Sequence, residues 1–240
     1  MTAQKIIIVG ASSGIGRRMA ERYAENGQRV GITGRRGELL EEVKRQYTGQ
    51  IEYECFDVTG NDNIQHLETL INKLGGLDIL VISAGTGEPS KELSWEIDKR
   101  TVATNVNGFI EIANWTFNYF VRQGHGQLVT ISSIAAVRGG SWAPAYNASK
   151  AFQSNYFDGL SVKAKKINKN IRLTCVQPGF VATKMAKSDK LFWVVPVDKA
   201  VRQIMRAIDK KKRKVYISRR WRIVAWILKC TPHWLYTRIA

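Results

Sequence analysis

Seven short apolar runs punctuate the chain: KIIIVG (5–10), RVGITG (29–34), IEYECF (51–56), LDILVISAG (77–85), QLVTISS (127–133), IRLTCVQP (171–178) and KVYIS (214–218). Their length and their β-branched content predict strands. Between them, apolar positions recur at helical spacing over 14–27, 37–47, 61–75 and a long stretch at 98–124. A fifth helix is predicted to begin near Tyr146 and a sixth to cover 196–212, with Asp198 as its N-cap. Strands apolar on both faces, alternating with helices, imply a parallel sheet covered on both sides. Right-handed crossovers then give an α/β, doubly wound fold whose ligands lie beyond the carboxyl ends of the strands. No linker, repeat or low-complexity segment interrupts the pattern, so 1–217 reads as one domain and 218–240 as a C-terminal extension.

Composition narrows the class. The 240 residues are 44% hydrophobic, enough to bury a full core without staples. Cys55, Cys175 and Cys230 are odd in number and far apart, which fits reduced thiols in a cytoplasmic protein and not a disulfide frame. His66, His125 and His233 have no ligand spacing around them, so no metal site is expected. The first ten residues carry one lysine and a short apolar run, and read as a strand instead of a secretion signal. No stretch approaches the ~20 apolar residues that span a bilayer. The formal net charge is +17, and its distribution is uneven. Residues 206–240 hold eleven Lys/Arg against one acid, Asp209, so +10 of the +17 lies in the last 35 residues.

Candidate chemistry begins where the first strand runs into GASSGIG, with Gly10, Ser12, Ser13, Gly14, Ile15 and Gly16. Glycines let a backbone turn tightly and approach a pyrophosphate, and the helix that follows offers free N–H groups and the positive end of its dipole. A tight turn alone is the bland reading; its place between strand and helix favours nucleotide binding. A site for NAD usually has an acid at the end of the second strand to hold the ribose 2′-hydroxyl. Here Gly34 stands in that place and Arg35 and Arg36 follow, with Glu38 fitting the first turn of the next helix. A guanidinium there suits a 2′-phosphate, which favours NADP(H). Arg17 reads equally as a helper or an ordinary helix charge. Further along, Tyr146 and Lys150 are four residues apart, a spacing that puts both on one helical face.

Together these segments resemble the short-chain dehydrogenase/reductase family over roughly residues 5–218. The resemblance rests on GASSGIG, Asp57-Val58, Ser83-Ala84-Gly85, Asn105 in NVNG, Ser133 in ISS, YNASK with Tyr146 and Lys150, and Pro178-Gly179, Val181 and Thr183 in PGFVAT. It implies a Rossmann-type fold, with Asp57 and Val58 at the adenine and Ser83, Ala84 and Gly85 backing the cofactor. Pro178, Gly179, Val181 and Thr183 are implied at the nicotinamide end, with Thr183 on the carboxamide. Asn105, Ser133, Tyr146 and Lys150 are implied as the catalytic tetrad, with Tyr146 and Lys150 also touching the cofactor. The family's serine stands 13 residues before its tyrosine, which selects Ser133 over Ser132. Two departures, Val9 for the usual threonine and Ser83 for the usual asparagine, touch the turn and not the reacting atoms.

The implied reaction interconverts a carbonyl and a secondary alcohol by hydride transfer. Tyr146 is the general acid/base, Ser133 bonds the oxyanion, Lys150 binds ribose and tunes the tyrosine, and Asn105 positions a water. A phenol starts at a pKa near 10, so bringing it to about 7 needs roughly 4 kcal/mol. A cation at ~4 Å supplies about 1 kcal/mol in water but about 4 at an effective dielectric of 20, so the cleft must be shielded. Phe180, Met185, Leu191, Phe192, Trp193 and Trp142 imply an apolar substrate or, on the other reading, packing beneath a helix. If 219–229 is helical, Arg219, Arg222 and Lys229 gather on one side and Trp221, Ile223, Val224, Trp226, Ile227 and Leu228 cover most of the rest, until Pro232. Peripheral contact with an anionic membrane at its inner face and burial against protein stay equally open, while specific nucleic-acid binding is the weakest reading. The expected partners are a small carbonyl or alcohol substrate and further copies, as a homodimer or homotetramer. An NADP-binding scaffold or redox sensor without turnover is the alternative.

Overall fold

The computed structural model describes residues 3–90, 92–167, 169–183 and 192–239. Seven parallel strands form one sheet in the order β3-β2-β1-β4-β5-β6-β7: β1 (Lys5–Val9), β2 (Arg29–Gly34), β3 (Ile51–Cys55), β4 (Ile79–Ile82), β5 (His125–Ile131), β6 (Asn170–Pro178) and β7 (Lys214–Ile217). Ile8 pairs with Ile32 on one side and Val81 on the other, so β1 is central and the strand order reverses between β1 and β4. That reversal opens the crevice in which doubly wound folds bind ligands.

Both faces of the sheet are covered, as its unbroken apolar strands require. Ile6 and Ile8 pack with Met19 and Tyr23 of α1 (Gly14–Glu25) and with Val201 and Ile204 of α7 (Val197–Asp209). On the other face, Ile7 and Val9 pack with Leu67 and Leu70 of α3 (Asn63–Leu74) and with Phe109 and Phe117 of α5 (Phe109–Gln123). The remaining helices of the body are α2 (Gly37–Gln46), α4 (Trp95–Val102) and α6 (Pro144–Ile167). Glu38 lies in the first turn of α2, where it complements the helix dipole.

Two expectations need correction. The long helix over 98–124 is three pieces, because Ala103–Gly108 between α4 and α5 is a π-helical turn. Gly108 has helix backbone pressed against Val58, where any side chain would overlap the Val58 carbonyl. Nor is Asp198 the N-cap of α7; Pro196 holds that position. The Asp198 carboxylate instead accepts from Arg18 (3.0 Å) and Arg22 (2.7 Å) and pairs with Arg202. Three guanidiniums outbid the cap's backbone N–H, since charge-assisted bonds are the stronger.

The C-terminal extension forms α8 (Trp221–Cys230) and α9 (His233–Ile239), separated at Pro232. Trp221 and Ala225 are buried against the body. Arg138 donates to the carbonyls of Leu228 (2.9 Å) and Thr231, stacks 4.1 Å from the Tyr236 ring, and the Tyr236 hydroxyl bonds the Gly139 carbonyl. The extension is thereby pinned to the loop that follows β5.

Candidate active site

At the end of β1 the chain turns at Gly10, whose φ of 88° is a left-handed conformation. A side chain at Gly10 would overlap the Ala84 backbone, and one at Gly16 the Gly10 carbonyl. Only glycine permits this approach of the turn to the segment after β4. The Ser83 and Ala84 amides both donate to the Val9 carbonyl (2.8 and 2.7 Å), so neither Val9 nor Ser83 needs its side chain for the turn. Ser13 occupies the N-cap of α1 without bonding the helix through its side chain. Ser12 and Ser13 instead accept from Arg36, with Nη2 at 2.7 and 2.8 Å and Nε 3.2 Å from Ser12.

Gly34 sits beside this arrangement, and a Cβ there would come 3.3 Å from Ser12 Oγ. A carboxylate in that place has little room. Arg35, 67% exposed, reaches 3.4 Å from Asp57, which also accepts from the Thr59 amide (3.0 Å). Partial burial raises the Asp57 pKa, but the Thr59 bonds and the Arg35 charge outweigh it and hold the carboxyl below its ordinary range. Val58 is buried next to it, and Ile15 packs on the core below the turn. Arg17 is engaged elsewhere, ion-paired to Glu21 (2.9 Å) and Glu42 (2.8 Å), and is a helix charge. An open pocket of about 250 Å³ is lined by Ser13, Gly14, Arg17, Arg18 and Glu21 together with Ala182, Thr183 and Val197. The segment after β6 thus meets the glycine turn.

At the carboxyl ends of β5 and β6 the second group assembles. Pro144 opens α6, where its fixed φ and missing N–H are no handicap, and Tyr146 and Lys150 follow on one face. Asn147, between them, donates to the carbonyls of Ala135 (3.1 Å) and Arg138 (2.8 Å), fixing the loop after β5 to the helix. Ser133 neighbours Tyr146 and lowers its pKa, while its Oγ accepts from the Ala135 amide (3.1 Å). Ser132 points away, donating to the Lys150 carbonyl (2.9 Å) inside the core. Gly87 lies against the other side of the tyrosine: a Cβ there would be 2.5 Å from Tyr146 Cδ2. Loss of water pushes the Tyr146 pKa above the ordinary phenol value, and Ser133 only partly offsets this.

Lys150 is 4% exposed, with its ammonium 5.8 Å from the Tyr146 ring centre. Its Nζ donates to the Ile131 carbonyl and to Gln153 Oε1, both at 3.1 Å. Burial lowers its pKa to about 8. Loss of water thus pushes both groups toward their neutral forms, the phenol up and the ammonium down.

Asn105, fully buried in the π-helical turn, has its side chain engaged with three protein atoms. Its Oδ1 accepts from the Thr86 amide (2.9 Å), and its Nδ2 donates to the Thr86 carbonyl (2.7 Å) and Ser149 Oγ (3.0 Å). These bonds make it a clasp on the loop that carries Gly85 and Gly87. Gln153 completes the group, donating to the Asn105 carbonyl (2.9 Å) while accepting from Lys150. Gln153 and Ser149 went unread in the sequence, although 153 is one helical turn beyond Lys150 and so had a positional signal.

Pro178 and Gly179 end β6, and on Gly179 lies an indole from the extension: a side chain at Gly179 would overlap the Trp221 ring. Trp221 stacks on Phe192 (5.2 Å between ring centres, 29°) and meets Phe180 (5.2 Å) and Trp193 (6.3 Å) edge-on. Its Nε1 is buried without a hydrogen-bond partner. No local feature of the sequence assigns Trp221 to this place. Met185 and Leu191 lie outside the described residues, and among the described residues no cluster of His, Cys, Asp and Glu could hold a metal.

Comparison with known proteins finds a match over residues 4–191 to the short chain dehydrogenase family. An uncharacterized oxidoreductase of Myxococcus xanthus is 33% identical over 195 residues, covering 79% of this chain and 76% of its own. The 3-oxoacyl-[acyl-carrier-protein] reductase FabG of Chlamydia trachomatis is 29% identical, over 76% of this chain and 75% of its own. Among solved structures, a short chain dehydrogenase of Bacillus anthracis superposes with a TM-score of 0.79 at 25% identity, covering 89% of this chain and 94% of that one.

Proposed function

The chain belongs to the short-chain dehydrogenase family of oxidoreductases, and from that premise we propose that it is an NADP(H)-dependent reductase of apolar carbonyl compounds. The observation that carries the reading is the convergence of half-buried Tyr146 with the buried Lys150 ammonium, 5.8 Å from its ring, beside Ser133 and Gly87. Loss of water there keeps the phenol neutral. A phenol in that state is a general acid, suited to protonating a carbonyl oxygen as it is reduced.

The residues present fit a dinucleotide: the turn at Gly10 and Gly16 leaves no room for side chains, and a guanidinium already bridges two hydroxyls beside it. Arg36, Ser12 and Ser13, with Arg35, would hold a 2′-phosphate, and Asp57 and Val58 would flank the adenine. Ser83, Ala84 and Gly85 would back the cofactor, and Pro178, Gly179, Val181 and Thr183 would hold the nicotinamide end. When bound, the reduced nicotinamide supplies the hydride. Tyr146 donates the proton to the carbonyl oxygen, and Ser133 hydrogen-bonds that oxygen as charge develops on it. Lys150 has three N–H donors and uses two on Ile131 and Gln153, leaving one for the cleft. Asn105 fixes the Gly85–Gly87 loop through Thr86 and positions a water that refills the proton, and Gln153 is a positioning residue that holds the lysine.

The apolar substrate class is supported by the rings of Phe180, Phe192, Trp193 and Trp221 around Gly179, and the similarity to an acyl-carrier-protein-dependent reductase points to acyl ketones within it. A homodimer or homotetramer belongs to the same reading. So does a cytoplasmic location, which three free cysteines support. The test follows nicotinamide absorbance with short and long-chain ketones, using NADPH and NADH side by side. Consumption of NADPH with long-chain ketones is expected; no oxidation of either cofactor with any carbonyl class would return the protein to the scaffold reading.

A further inference from the structure

Helix α8 is apolar almost all the way round, yet only one side of it is covered. Trp221 and Ala225 are buried and Val224 and Leu228 half-buried, so this side faces the body. The opposite side carries Ile223, Trp226, Ile227 and Cys230, with Trp226 67% exposed and Ile223 62% exposed. A helix apolar on all sides is ordinarily enclosed. On α9, Trp234 is 63% exposed and Leu235 is exposed beside it.

The border of this surface is basic. Arg219, Arg220, Arg222, Lys229 and Arg238 are all exposed, and residues 210–240 contain no Asp or Glu. Arg238 lies 5.6 Å over the Trp234 ring and Arg220 5.8 Å over Trp193. The long basic side chains therefore lie alongside the indoles, with their charged ends at the rim. No helix of the described residues is long and apolar enough to cross a membrane.

We propose that the outer face of α8 and α9 docks on an anionic lipid surface, with Trp226, Ile223, Ile227 and Trp234 in the headgroup–acyl boundary and the basic rim on the headgroups. Tryptophan sits well at that boundary, and each Lys or Arg near an anionic surface adds attraction that salt screens. The charge pattern selects this occupant. A second copy meeting the same face about a two-fold axis would set basic rim against basic rim, and the extension has no acid to relieve it. The proposal does not depend on the reaction. It adds that the element whose inner side places Trp221 on Gly179 has its outer side on lipid, which puts the mouth of the cleft at a source of apolar carbonyls.

The test is flotation of the intact protein with phosphatidylcholine vesicles and with vesicles containing phosphatidylglycerol, at low and high salt. Strong co-flotation with the anionic vesicles alone, weakened by salt, is expected. The double variant Ile223→Ser/Trp226→Ser should bind at least about tenfold less, and Arg222→Gln/Lys229→Gln about thirtyfold less. Both pairs lie on the exposed side, so thermal melting and NADPH binding should match the parent and exclude misfolding as the cause. No flotation of the intact protein, equal binding to both vesicle types, or unchanged binding by the Ile223/Trp226 variant would each overturn the proposal. So would self-association, seen by light scattering, that this variant abolishes while no vesicle binds.

Discussion

The two ends of the cleft are built differently. At the nucleotide end, a backbone turn between strand and helix does the work: Gly10, Gly14 and Gly16 shape it, and Arg36 at the end of β2 reaches back to Ser12 and Ser13. At the carbonyl end, groups far apart in sequence converge on buried atoms. Tyr146 is set between Ser133 and Gly87, Lys150 is tied through Gln153 to Asn105, and Trp221 comes from the extension onto Gly179. The first end is a turn of close backbone contacts with an exposed guanidinium beside it; the second is a side-chain network whose Asn105, Lys150 and Gln153 are buried. Substitutions should therefore separate into losses of cofactor choice at one end and losses of chemistry at the other.

The largest separation is expected at Tyr146. Tyr146→Phe removes the proton donor and should lower turnover about 10²- to 10⁴-fold, with NADPH affinity, measured by fluorescence titration, almost unchanged. An equal loss of affinity would erase the distinction between the ends.

Lys150 gives a pH signature of the buried network. Its folded pKa of about 8 lies below the unfolded value of 10.5, so the unfolded chain binds more protons between these values. The burial penalty is complete below pH 8 and is released as pH rises toward 10.5, so the ligand-free protein gains stability across that window. The gain is about 3 kcal/mol at the constant of 1.36 per pKa unit. Lys150→Met should lack this rise in denaturant titrations at pH 7.5 and 10; a parallel rise in parent and variant would show that the ammonium is not buried as described.

At the nucleotide end, Arg36→Ala should weaken NADPH by about 1.5–3 kcal/mol, roughly ten- to hundredfold, the worth of a charge-assisted hydrogen bond. NADH should move little, and kcat should hold. Equal loss of both cofactors would make Arg36 a strut of the turn. The smallest effect is expected at Trp221→Phe, which keeps an aromatic ring over Gly179 and removes a buried N–H that has no partner. The unfolding free energy, from denaturant titration, should change by no more than about 1 kcal/mol, since the cavity left by the smaller ring offsets the loss of the unpartnered N–H. KM for a long-chain ketone should rise about threefold, within the range of one aromatic contact, with a short ketone unaffected.

The same contrast explains what could be read from the chain. The parallel, doubly wound sheet follows from apolar runs and crossover handedness, and the glycine turn is a local sequence matter. That Arg36 reaches Ser12 and Ser13 depends on how the end of β2 lies beside the turn, which the local pattern does not show. Ser133 and Tyr146 were legible through the family spacing. The failures lie where distant charges or packing override local rules. Asp198 has the residue type and place of an N-cap, but Arg18, Arg22 and Arg202 compete for its carboxylate. The apolar period over 98–124 gives no sign of the π-helical turn, at whose end Gly108 passes against Val58. Asn105 was readable as polar and interior to a helix, but its engagement with Thr86 and Ser149 depends on a loop folded from elsewhere. Trp221 is one of several tryptophans in a basic tail, and only the pinning of α8 by Arg138 singles it out.

The central claim is that the cleft reduces a carbonyl with hydride from NADPH and a proton from Tyr146. Its most direct test is a reaction of the intact protein with NADPH carrying deuterium on the transferable position of C4 and a long-chain ketone, analysed by mass spectrometry of the alcohol. The account predicts one deuterium on the carbinol carbon, formed by the parent protein and in only trace yield by Tyr146→Phe. An unlabelled alcohol, or equal yields from the two proteins, would contradict it.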